Sequence, residues 1–269
     1  MPMAGSDDLY MLFSSGGFRF GIPIPWVQRT AGADEKTQWP VWDFSEEKGG
    51  CRLQERKYLI FLERKECRLC LAAEEIEGIW QRETAVGYYL SEPVVWNKNR
   101  YLEEAVFQDM PEEKDEKTIF LLNPEILYKF VQERSERQES GRQPCEEKEE
   151  ILSQSEEVEE EERELEDCLE VRTGDMLLYV AKESVRAVVG RPKIWEIPQT
   201  RPHILGISFY EGSPVIYYRF EEVQKADCGI IIRAKGIFYA GIAAQTAGTQ
   251  RKVSGRFVTL MPGVWVKKE

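Results

Sequence analysis

Histidine is almost absent: of 269 residues only His203 is one. That excludes zinc sites built on paired histidines and the H-E-x-x-H pattern of metalloproteases. No apolar run reaches the roughly 18 residues of a membrane-spanning helix, so no membrane insertion is expected. The glycine signatures of phosphate and acyl chemistry are missing too. G-x-x-x-x-G-K-[ST], G-x-G-x-x-G and G-x-S-x-G do not occur. GGFRFG, at 16–21, is rich in glycine but lies within a hairpin pattern and opens no helix. A positive field is also lacking. The formal net charge is −12, and all of it lies between Glu133 and Glu170, where 17 acidic residues meet 5 basic ones. The remainder is neutral and offers no electrostatic footprint for nucleic acid.

What the chain does have is short β-rich runs between turn residues. In 201–220, RPHILGISFYEGSPVIYYRF, the residues after Gly212 alternate in direction. Ile216, Tyr218 and Phe220 point one way, and Val215, Tyr217 and Arg219 the other. The stretch predicts a strand, a turn and a second strand. YLIFLERKECRLCLAAEEIEGI, from Tyr58, has the same shape as GIIIRAKGIFYAGIAAQTAG, from Gly229. DDLYMLFSSGGFRFGIPIPWV, from Asp7, likewise matches GDMLLYVAKESVRAVVGRPKIWEI, from Gly174. The pattern is a tandem duplication of an all-β unit, and closure into small barrels would remove exposed strand edges.

Residues 132–172 separate the copies as an acidic linker, disordered or partly helical, since its charge run has little to bury. Ile151, Val158 and Leu165 recur every seventh residue, too few for a coiled coil. The start of the chain lacks the basic region and long apolar core of a signal peptide, and the expected location is cytoplasmic. In that reducing compartment Cys51, Cys67, Cys70, Cys145, Cys168 and Cys228 are expected as free thiols. Cys67 and Cys70 form C-x-x-C, but on a strand they face opposite ways, with no second pair to complete a zinc site. His203, just before a strand, offers at most a lone general base. No enzyme, cofactor or metal is expected.

The residues that remain resemble the CheW-like domain of bacterial chemotaxis. In the second copy, Ile194-Trp195-Glu196-Ile197-Pro198 fits the family's V-x-E-I strand. Pro202 to Gly206, with Gly212, fits the block that follows. In the first, WPVWDF fits P-V-x-D-L at Pro40, Val41, Asp43 and Phe44. LAAEEIEGI from Leu71 fits the later hairpin with Glu74 for the aspartate, and TIFLLNPEILYKF from Thr118 fits the closing strand and helix. The resemblance implies two units of small five-stranded barrels, at 7–131 and 173–269. It implies a non-catalytic adaptor that couples methyl-accepting chemotaxis receptors to a CheA-type histidine kinase.

The departures are specific. The first copy has too few residues between Val27 and Trp39 for the glycine-bounded docking hairpin, and the second is short at its C-terminus. In the second copy Glu211 stands where the family has arginine, Ile216 where it has proline and Arg219 where it has aspartate. The expected partner-binding residues are Gly206, Phe209, Tyr210, Glu211, Gly212 and Ser213, with Trp39 and Trp42 in the first copy. The alternative is a diverged interaction protein, or an internal pseudo-dimer with a structural role outside chemotaxis.

Overall fold

The computed structural model describes residues 9–44, 56–82, 86–107, 118–139, 161–221, 226–233 and 239–268. The chain divides into two compact units, Met1–Pro144 and Cys145–Glu269. Both are built of strands, and the fold is all-β.

The first unit runs β1 (Leu9–Ser15), β2 (Phe18–Pro23), a 3₁₀ turn, β3 (Val27–Gly32), β4 (Val41–Trp42), β5 (Tyr58–Arg64) and β6 (Cys67–Ala73). It continues with β7 (Glu75–Gln81), β8 (Val86–Tyr89), β9 (Leu102–Phe107), β10 (Ile119–Leu122) and α1 (Pro124–Glu139). One sheet is six-stranded, in the order β7-β1-β2-β10-β9-β8, and the other is four-stranded, β3-β5-β6-β4. β5 and β6 carry continuous apolar runs, as strands covered on both faces do. Asn123 starts the helix, its side-chain oxygen accepting the Ile126 N–H at 3.1 Å. Pro124 in the first turn costs no hydrogen bond there. Leu127 and Val131 are the buried side of α1.

The second unit runs β11 (Glu161–Thr173), β12 (Met176–Ala181), a 3₁₀ turn, β13 (Val185–Gly190), β14 (Ile204–Tyr210) and β15 (Ser213–Tyr218). It ends with β16 (Cys228–Arg233), β17 (Tyr239–Ala244), β18 (Thr246–Met261) and β19 (Val264–Lys268). β11, β12, β19 and β18 form a closed barrel, and β13-β16-β17-β15-β14 form a five-stranded sheet. The alternation in 215–220 separates two cores. Tyr218 and Phe220 pack with Leu178, Val180, Ile230 and Ile242, while Val215 and Tyr217 pack on the opposite face with Ile231 and Ala243.

Three expectations change. The strands are grouped as six plus four and as four plus five, not as five-stranded barrels. The acidic linker is shorter than 132–172, because α1 continues to Glu139 and 161–172 belong to β11. Leu165, placed in the acidic linker, is buried with Cys168, Tyr179 and Phe257. Ile151 and Val158 lie outside the described residues. The charge of β11 is tolerated because its neighbour is basic: Lys252 on β18 reaches Glu164 at 2.6 Å, and Gln250 donates to Glu170 at 3.1 Å. The second unit, expected to be short at its C-terminus, ends on β19, which pairs with both β12 and β18.

The pairing pattern recurs between the units. β3–β5 and β5–β6 are antiparallel and β6–β4 parallel; β13–β16, β16–β17 and β17–β15 repeat this. A bulge falls at the same place in each, after Val27 and after Val185. Among the described residues, β14 alone has no counterpart in the first unit's sheet.

Candidate functional site

β14 and β15 form the glycine-bounded hairpin expected from the sequence, at one edge of the five-stranded sheet. Tyr210 pairs with Ser213, leaving Glu211 and Gly212 as a two-residue turn. Both have positive φ, 49° and 76°. That is the type I′ geometry whose twist matches the strands it joins, and it favours glycine at 212. Gly206 has a different task. A Cβ there would lie 2.3 Å from the Trp195 carbonyl oxygen. Its absence lets Trp195 pair with Ile207 by N–H···O bonds of 2.8 and 2.9 Å along the outer side of β14. Gly206 is therefore buried structure, not contact surface.

The side chains at the tip fall into two groups. Phe209 is half-buried, its ring 5.7 Å from that of Trp195. Tyr210 meets Tyr239 edge-on at 6.2 Å, and the Arg186 guanidinium lies 6.0 Å from the Tyr210 ring. Arg186 also donates to Glu211 at 2.8 Å. Arg186 follows β13's first residue, and Glu211 lies just beyond β14, at the other edge of the same sheet. The sheet is thus curled enough for a side chain on one edge strand to reach the turn beyond the other. The Glu211 carboxylate, hydrogen-bonded and adjacent, raises the pKa of Arg186 and, by its hydrogen bond to Tyr210, that of the phenol. Arg186 and Glu211 remain 38% and 57% exposed, so the pair orients the tip and adds little stability. Glu211 and Gly212 are exposed, Ser213 half-buried.

Arg186 and Tyr239 were not legible as site residues. Arg186 is 25 positions from Glu211, and only the sheet order brings them together.

Trp42 corrects an expectation. It is 5% exposed, ringed by Phe44, Tyr101 and Phe130 at 6.2, 6.3 and 5.2 Å. It is core, because β4 turns that face of Trp42 under α1. Trp39 is half-buried, edge-on to Phe61 at 5.3 Å with Arg68 5.7 Å from its ring. Asp43, at the place of the family's aspartate, is buried in an ion pair with Arg56. Arg219, its counterpart, donates its N–H to the His203 carbonyl at 2.7 Å.

The chemistry-bearing side chains are dispersed. His203 stacks on Tyr218 at 6.2 Å, and burial, then the nearby Arg201 charge, lower its pKa. Cys67 and Cys70 lie on β6, and burial raises the Cys70 thiol. Burial also pushes the Tyr217 phenol up to about 12. Among the described residues no three His, Cys, Asp or Glu side chains are grouped to hold a metal, and no helix is long and apolar enough to cross a membrane. Comparison with protein-family models and with curated proteins returns no match for this chain.

Proposed function

We propose that the chain is a non-catalytic adaptor of a chemotaxis-type signalling complex, coupling receptors to a CheA-type histidine kinase in the cytoplasm. The observation that carries this reading is the β14–β15 hairpin. It projects a Glu211-Gly212 tip flanked by Tyr210 and Tyr239 from a sheet edge, at the position where the resembling family docks its partners. The recurrence of the strand pairing in both units supports two copies of one binding module. An apolar centre at Phe209 and Tyr210 would supply affinity, and the charges around it would choose the partner.

A second reading rests on one contact. Glu211, which replaces the family's arginine, is already paired with Arg186 within the chain. A tip neutralised internally suits a partner outside chemotaxis.

The test is a pull-down from the protein's own cell lysate with the chain and with Glu211→Arg. That substitution places two like charges together, because Arg186 faces it. Recovery of a histidine kinase or receptor by the parent chain, and its loss with the variant, supports the adaptor reading. Recovery of neither by either form overturns it.

A further inference from the structure

The two units differ at one edge. In the second, β15 has β17 on one side and β14 on the other, and Tyr217 on β15 is 1% exposed. In the first, β4 pairs only with β6 among the described residues. Counting along the ladders from the shared bulge, Val41 occupies the position of Tyr217: Val41 lies beside Cys70 as Tyr217 lies beside Gly241. Val41 is 39% exposed.

The backbone there points outward. Cys70 donates to the Pro40 carbonyl at 2.9 Å, which fixes the phase of the parallel ladder. The alternation then aims the Val41 N–H and C=O away from β6, at the outer edge. Val41 shares a face of its sheet with Cys70 and Phe61, and on the equivalent face of the second unit Leu205, contributed by the edge strand β14, packs with Tyr217.

We infer that the outer edge of β4 accepts one added strand, an extended segment of a partner polypeptide running antiparallel to β4 with alternating apolar side chains. The chemistry of the occupant is that of β14, which fills the equivalent position. A second copy's β14 is not the donor, because its outer side is engaged by Trp195. Main-chain hydrogen bonds to Val41 would hold the segment, and its alternate side chains would cover the face beside Trp39. This surface is separate from the hairpin tip and does not depend on the adaptor reading.

The probe is a fluorescent peptide carrying the sequence of residues 204–210, ILGISFY, with lysines at both ends, titrated against the full chain by anisotropy. The expected result is saturable binding, weakened at least about tenfold by Val41→Lys, which leaves the melting temperature unchanged. N-methylation of alternate peptide bonds along one edge of the peptide should abolish binding whatever the variant does to folding. Absence of saturable binding overturns the inference. So does equal binding of the N-methylated peptide. Concentration-dependent self-association that Val41→Lys abolishes would assign the edge to a second copy, and would also overturn it.

Discussion

Single residues carry the exchange of volume between the units. The Tyr217 ring lies flat over Gly241, where a Cβ would approach it to 2.9 Å, and its hydroxyl lies over Gly229, where a Cβ would come to 2.4 Å. In the first unit those ladder positions hold Cys70 and Leu59, and Val41 stands in place of the tyrosine. One large side chain on two glycines fills the same layer as one small side chain beside two larger ones. The sequence shows Gly229, Gly241 and Tyr217 but not their contact, which only the parallel β15–β17 register creates. His203 provides the cleanest measurement at this scale, being the chain's one histidine. Burial, then Arg201, hold its folded pKa below 6.5, so the folded state binds fewer protons than the unfolded one. Its contribution to stability is therefore present above pH 6.5 and is lost as pH falls toward the folded pKa. An NMR titration of its single imidazole signal should show a midpoint below 6.5. A midpoint at or above that value would mean the ring is solvated.

In the first unit a buried ion pair joins whole elements. Arg82, just after β7, makes two bonds of 2.6 Å to Glu104 on β9, which is 3% exposed. A Cβ at Gly87 on β8 would lie 1.9 Å from the carboxylate, so glycine makes room for the pair. Glu104→Gln leaves the guanidinium without its counter-charge and should cost about 3 kcal/mol, the low end for breaking a buried pair because Arg82 keeps some access to water. Urea denaturation measures it, and a change below roughly 1 kcal/mol would place the pair with ordinary surface contacts. Elements were legible where apolar, β-rich runs stand on either side of turn residues, as in the β5–β6 and β14–β15 hairpins. β11 was not. Its buried Leu165, Cys168, Leu169 and Val171 do not keep a period of two, and Asp167 among them has φ 44°. Its carboxylates suggest a solvated run until β18 supplies the cations.

At the scale of the molecule, each unit has its own cores, and the second depends on β11 for part of both clusters of the barrel. A fragment of residues 145–269 should melt cooperatively by circular dichroism, whereas 173–269, the second unit as the sequence reading bounded it, should not. Equal cooperativity in both would mean that β11 is an accessory strand. The all-β class could be read from the sequence, because alternation and turn chemistry are local. The meeting of Arg186 with Glu211 could not, because it needs the sheet to curl. That curl offers Tyr210, Tyr239 and the 211–213 turn together on one surface. The most direct measurement replaces Tyr210 with a photocrosslinking amino acid in the full chain, in its own cells, and identifies the adducts by mass spectrometry. Adducts with a histidine kinase or a chemotaxis receptor are predicted. Adducts with neither, from a chain that is folded and expressed, would contradict the adaptor account.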